Sequence, residues 1–148
     1  KMCEILVECG LPAAEITFRT AAAEAVIKEA AKNFPQLYLG AGTILNTRDL
    51  DRAFNAGASF AVAPGFNPTV VKAAVANNYA FAPGVCTPSE VEQAMELGVN
   101  CIVVPAVMTQ EAIAELTAIL EEKLGQADGD DRSVQMQQLE AYYIFTWN

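Results

Sequence analysis

Short apolar runs alternate with longer stretches of helical periodicity along the chain. The runs are Glu15-Ile16-Thr17-Phe18, Tyr38-Leu39-Gly40, Ala61-Val62-Ala63, Ala80-Phe81-Ala82 and Ile102-Val103-Val104. They recur roughly every twenty residues, the length that a strand, a helix and two short loops occupy. Strands separated by helices pair in parallel through right-handed crossovers. Runs that stay apolar without alternation suit strands buried on both faces. The pattern predicts an α/β fold built on a parallel sheet.

The helix boundaries carry their own chemistry. Thr87-Pro88-Ser89-Glu90 reads as a capping box with proline at the first helical position. Asn67-Pro68 makes the same kind of start, and Asn46 followed by Asp49 a weaker one. Gly57 and Gly98 fall where helices end. A last helix is predicted from a Thr109 cap through the stripe Ile113, Leu116, Leu120 and Leu124, ending at Gly125. The character then changes. Gly125 to Gln138 contains Gln126-Ala127-Asp128-Gly129-Asp130-Asp131, a solvated loop or linker. Leu139 to Asn148 holds Tyr142, Tyr143, Phe145 and Trp147, with high β-propensity. That stretch reads as a strand completing the sheet, an oligomer contact or a non-native tail. Two regions follow: a βα-repeat domain over 1–125, and an acidic linker with an aromatic strand or tail over 126–148.

Composition narrows the function. The chain has 148 residues, is 53% hydrophobic, carries net charge −9 and contains no histidine. Its apolar content excludes a disordered chain. Its acidity argues against nucleic acid and anionic membranes as partners, since both select basic surfaces. Without histidine there is no Ser-His-Asp or Cys-His catalysis and no His-ligated metal, so a metal site is not expected. Carboxylate, hydroxyl, lysine and thiolate chemistry remain. Cys3, Cys9, Cys86 and Cys101 form no CxxC pair, which reads as reduced thiols in a cytoplasmic protein. No apolar run is long enough to span a membrane. The chain opens on Lys1 inside a helix-like run, which reads as a fragment, a trimmed chain or an engineered one.

In parallel α/β folds the chemistry collects at the carboxyl ends of the strands. Glu15 sits within an apolar strand, where burial would raise its pKa and suit it to acid–base work. A strand-edge glutamate paired with Arg19 is the structural alternative. Arg19 alone among the cationic residues closely follows a strand end, and its guanidinium can grip a carboxylate or phosphate with two prongs. Gly40-Ala41-Gly42-Thr43 offers close backbone approach and a hydroxyl. Pro64-Gly65 and Pro83-Gly84 read first as turns. Cys86 lies next to a helix start, yet with no base nearby it reads as a small buried thiol.

At these residues the sequence resembles the 2-keto-3-deoxy-6-phosphogluconate and 4-hydroxy-2-oxoglutarate aldolases. The resemblance is carried by Gly10-Leu11-Pro12-Ala13-Ala14-Glu15-Ile16-Thr17-Phe18-Arg19-Thr20, Gly40-Ala41-Gly42-Thr43-Ile44-Leu45-Asn46, Ala63-Pro64-Gly65-Phe66-Asn67-Pro68 and Pro83-Gly84-Val85. It covers about residues 1 to 106. It implies a TIM-type parallel (β/α) barrel, usually trimeric, and a metal-free, cofactor-free class I aldolase. Such enzymes cleave a keto-deoxy sugar acid to pyruvate and an aldehyde through a lysine Schiff base. Carried over by position, Glu15 is the general acid/base, Arg19 and Thr43 bind the pyruvate carboxylate end, and Pro64 lines the pocket.

The sequence departs from that pattern at the fifth run. The family's Lys-Phe-Phe-Pro-like segment reads Cys101-Ile102-Val103-Val104-Pro105 here, and Ile102 stands where counting places the lysine. Past Ala106 the family's pattern and its glycine-rich phosphate site are missing. Five clear βα units make an incomplete barrel, which needs about 200 residues or more. Two functions are therefore expected: a pyruvate-forming aldolase, or a catalytically inactive aldolase-derived scaffold or assembly module. Either leaves sheet edges that favour a homo-oligomer.

Overall fold

The structure, a computed structural model, describes residues 1–105, 114, 118, 135–139 and 142–146. Its elements in chain order are α1 (Met2–Glu8), β1 (Ala13–Thr17), α2 (Ala23–Asn33), β2 (Tyr38–Gly42), α3 (Thr47–Asn55), β3 (Phe60–Val62), α4 (Pro68–Ala76), β4 (Phe81–Ala82), α5 (Pro88–Glu96), β5 (Cys101–Pro105), β6 (Gln135–Leu139) and β7 (Tyr142–Thr146). Strands β1 to β4 form a parallel sheet in sequential order. A parallel bridge at Gly84–Val103 ties β5 to that sheet. Val85 N–H donates to Val103 O and Val103 N–H to Pro83 O, both at 2.9 Å. The alternation of strands and helices is the one the apolar runs predict.

The helix starts follow from their sequence. Thr87 Oγ1 accepts from Glu90 N–H while the Glu90 carboxylate accepts from Thr87 N–H at 3.0 Å, which closes the capping box. Asn67 caps α4 ahead of Pro68, and Asn46 caps α3 by accepting from Asp49 N–H at 2.8 Å. Each cap satisfies backbone donors that the first turn leaves without partners. Gly57 and Gly98 have φ of 105° and 83° just past the ends of α3 and α5, where a left-handed residue terminates a helix.

Register divides the sheet into two faces, because neighbours in a row share a side and successive residues alternate. On one face Ile16, Ala41, Ala61, Phe81, Ile102 and Val104 pack against Ile27, Leu50, Val70, Val71 and Val91 of the helices. Ile27, Leu39, Ile44, Leu50, Ile102, Val70, Val71, Val85 and Val91 are fully buried. Each contributes about 1.5–3 kcal/mol through removal of its apolar surface from water. The other face carries Glu15 beside Gly40 and Phe60, then Thr17 beside Gly42. This second face is open along β1: Ala13, Glu15 and Thr17 are exposed while Ala14 and Ile16 are half-buried. Burial on both faces, expected for β1, therefore does not occur; among the described residues no layer covers its second side.

The C-terminal part also departs from expectation. The stretch read as a linker ends in β6, and the aromatic stretch forms β7, yet neither extends the parallel order. Strand β7 pairs antiparallel with β5 from Cys101–Thr146 to Pro105–Tyr142, and β6 pairs antiparallel with β7. The predicted helix from Thr109 to Leu124 and the acidic segment Gln126–Asp131 lie outside the described residues.

Candidate active site

The carboxyl ends of β1 and β2 bring Glu15, Arg19 and Thr43 to one corner of the sheet. The chain leaves the β1 ladder at Phe18: Phe18 N–H donates to Gly42 O at 2.7 Å, and Arg19 N–H turns back to Thr17 O at 3.0 Å. The chain thus enters the β1–α2 loop with Arg19 exposed and one residue from the β2 end.

Glu15 lies on the open face with its carboxyl over Gly42. A Cβ at Gly42 would collide with Glu15 Oε1, so glycine is required there for close approach rather than for a turn. By surface area Glu15 is an exposed residue. Its carboxyl is nonetheless drawn far enough from water that its pKa lies above the ordinary 4.5, and the nearby Arg19 charge offsets part of that rise. Desolvation dominates because Arg19 makes no ion pair within 4.0 Å among the described residues. The strand-edge glutamate ion-paired with Arg19 is thereby disfavoured.

Thr43 is half-buried and has φ of 61°. A β-branched residue in the left-handed region is strained by about 1–3 kcal/mol, and such strain collects at functional sites. Pro64 is exposed at the end of β3. It opens on a hollow of about 340 Å³ with Ile44, Leu45, Phe66 and Asn67, which Glu15 and Arg19 do not line. The structure therefore gathers Glu15, Arg19 and Thr43 and sets Pro64 in an adjoining recess. A cavity of about 230 Å³ lies at the opposite, amino-terminal ends of the strands, with Tyr38, Phe60, Val62 and Cys101 on its wall. Another of about 280 Å³ lies by Val75, Asn78 and Gly98. Neither contains a residue of the corner.

Two sequence expectations are corrected. Ile102 does not stand in the site: it is fully buried in the helix-side core. Val103 shares a row with Gly84, and with Cys101 it takes the open face. Which side chains reach each face is set by the register of β5 against β4. Cys86 is exposed rather than buried, and partial desolvation together with the Glu90 carboxylate pushes its thiol pKa up. On the open face, burial pushes Cys101 to about 11, which leaves it protonated and unreactive. The close approach expected of the Gly40-Ala41-Gly42-Thr43 run falls at Gly42. Nothing local in the sequence marks Arg52.

Among the described residues no group of three or more His, Cys, Asp or Glu side chains is arranged to hold a metal. No described helix is long and apolar enough to cross a membrane.

At its strand ends the parallel βα-repeat sheet brings together a desolvated carboxyl, Glu15, and an exposed arginine, Arg19. Comparison with known proteins makes the class specific. The family described as KDPG and KHG aldolase matches residues 1–121, and the chain belongs to this family. It is 38% identical over 101 residues to the 2-dehydro-3-deoxy-phosphogluconate aldolase of Haemophilus influenzae, covering 68% of this chain and 48% of that relative. The chain spans about half the length of the curated relatives it matches. The crystal structure of the 2-keto-3-deoxy-6-phosphogluconate aldolase of Zymomonas mobilis ZM4 with 3-phosphoglycerate aligns with TM-score 0.63 at 40% identity, over 67% of this chain and 47% of that one. The KDPG aldolase of Legionella pneumophila, with pyruvate captured as a covalent carbinolamine, aligns with TM-score 0.64 at 29% identity, over 67% and 48%. These neighbours show the TIM-type parallel fold, of which this chain matches about half.

Proposed function

We propose that the chain carries the acid–base and carboxylate-binding part of a pyruvate-forming aldolase. The substrate is a 2-keto-3-deoxy-6-phospho sugar acid or 4-hydroxy-2-oxoglutarate, and the small-molecule partner is a pyruvate-type keto acid. What supports this most is the Glu15 carboxyl seated over Gly42 beside Arg19 and Thr43. In this reading Arg19 and the Thr43 hydroxyl hold the carboxylate end. Pro64 lines the recess where the rest of the chain of the substrate extends. Glu15 takes the proton of the C4 hydroxyl as the C3–C4 bond breaks, and later returns a proton to C3.

Those electrons need a sink, which in this family is the iminium formed between a lysine amine and the C2 ketone with loss of water. The described lysines, Lys1, Lys28, Lys32 and Lys72, are all exposed, and the last three lie on α2 and α4. Lys123 lies outside the described residues. The second reading, an inactive aldolase-derived scaffold or assembly module, draws its support from β5, which presents Cys101 and Val103 on the open face. We further propose a cytoplasmic homo-oligomer, a trimer, since β1 pairs only with β2 among the described strands. Sedimentation showing a stable monomer would sink that part.

Intact mass after incubation with pyruvate and borohydride tests the chemistry. One reduced pyruvate adduct supports the aldolase reading. An unmodified mass, with an authentic aldolase labelled in parallel, leaves the scaffold reading standing.

A further inference from the structure

Arg52, on α3, is tied on three sides. Its Nε donates to Glu24 Oε2 on α2 at 2.8 Å, and its Nη1 to Asp49 Oδ1 on its own helix at 2.9 Å. Its Cζ stands 5.2 Å from the centroid of the Phe18 ring, within cation–π range. A planar guanidinium alone can direct its edge to two carboxylates while its face lies on a ring; a lysine ammonium cannot. Exposed ion pairs taken singly contribute little. The point of this arrangement is what it holds.

Phe18 is buried, and it is the residue between β1 and Arg19. Its N–H donates to Gly42 O at 2.7 Å, immediately before the strained Thr43. One residue therefore anchors the β1 loop that carries Arg19 and meets the β2 end that carries Thr43. Glu24 joins α2 to α3 behind those two loops through this guanidinium, and Asp49 holds the same guanidinium from within α3.

The structure assigns Arg52 as the positioning residue of the corner: by seating Phe18 and bridging α2 to α3, it fixes Arg19 and Thr43 in the spacing a keto-acid carboxylate needs. This rests on the proposed keto-acid site. Arg52 itself touches no substrate, and its effect is on geometry, where small displacements weaken binding steeply.

The test is the affinity of the full chain for pyruvate, by calorimetry or ligand-detected NMR, scaled to the folded fraction. Arg52→Met binds about tenfold more weakly than the parent, and Arg52→Lys recovers less than half of that loss. A merely structural arginine would lower the melting temperature and leave the affinity per folded molecule unchanged, and that result overturns the assignment. Arg19→Met is the control that must lose binding. If the parent and Arg19→Met bind pyruvate alike, the keto-acid reading fails instead. The backbone amide resonances of Arg19 and Thr43 in Arg52→Met then decide: shifted signals uphold the positioning role, and unmoved ones refute it. Should Arg52→Met not fold, Glu24→Gln removes one tie and is expected to weaken binding about threefold; unchanged affinity refutes the role.

Discussion

Strand β5 has two unlike neighbours. Toward β4 it is held by the single bridge between Gly84 and Val103, whereas β7 runs along it from Cys101–Thr146 to Pro105–Tyr142. A parallel neighbour requires a crossover of a dozen or more residues, while antiparallel strands join through a short turn. Register pairs Leu139 with Tyr142, so only residues 140–141 separate β6 from β7. The hairpin takes the edge of β5 where a barrel would place its next parallel strand. The family match runs past β5 to residue 121, yet the described strands beyond β5 reverse direction and end the parallel order.

That contrast can be broken most sharply on β5 itself. Ile102→Lys forces an ammonium into the helix-side core and is expected to cost about 4 kcal/mol or more in urea unfolding. Val103→Lys, one residue on, takes the opposite face; Val103 is itself buried there, but a longer stem can carry its charge toward the exposed β1 side, and the cost is expected to be smaller, about 2 kcal/mol. Pyruvate and borohydride should then label Val103→Lys and not Ile102→Lys. Labelling of Ile102→Lys would show that the faces are assigned the wrong way round.

A second comparison sets the parallel region against the hairpin. Leu50→Ala removes a fully buried side chain behind the parallel sheet and should cost about 3 kcal/mol of global stability. Ile144→Pro deletes one ladder donor in β7, opposite Val103. It should weaken the hairpin while β1 to β4 keep their hydrogen-exchange protection. Equal loss of protection in both regions would mean the two fold as one unit.

Smaller effects sharpen the reading of the corner. Thr43→Gly relieves a left-handed backbone and should leave stability unchanged or raise it by up to about 1 kcal/mol, while weakening pyruvate binding. A clear destabilisation would mean that Thr43 is held there by packing rather than for its hydroxyl. The smallest effect concerns Glu15. Its raised pKa means that the folded state holds this proton more tightly than the unfolded one. That contribution is fully present below about 4.5 and fades as pH rises through the folded-state value. Glu15→Gln should therefore gain stability relative to the parent from acid to neutral pH. Gly42→Ala should displace the carboxyl and cancel this pH dependence with little change in overall stability, because the clashing atoms end a flexible side chain. A parallel pH profile for parent and Glu15→Gln would remove the desolvation argument.

Much of this was legible in the residues. Thr87-Pro88-Ser89-Glu90, Asn67-Pro68 and Asn46 with Asp49 are local chemistry, and the helices begin where they stand. The five apolar runs mark five strands because the helix-facing side of each is buried. What failed was non-local. Counting back from Pro105 identifies Ile102, but the side a residue faces depends on register with β4, which counting along the chain does not reveal. The Gln135–Leu139 strand has little β-propensity of its own and is defined by pairing with β7. Arg52 reaches Glu24 and Phe18 only through the packing of α2 and α3. The left-handed φ of Thr43 has no signature in its residue type.

Glu15 has one more consequence. Strand β1 is an edge strand among the described residues, with apolar Leu11 before it and Ile16 within it. A charge in the middle of such an edge opposes the edge-to-edge stacking by which chains aggregate. The desolvated carboxyl therefore also guards this edge, so neutralising it trades a gain in folded stability for a loss of colloidal stability.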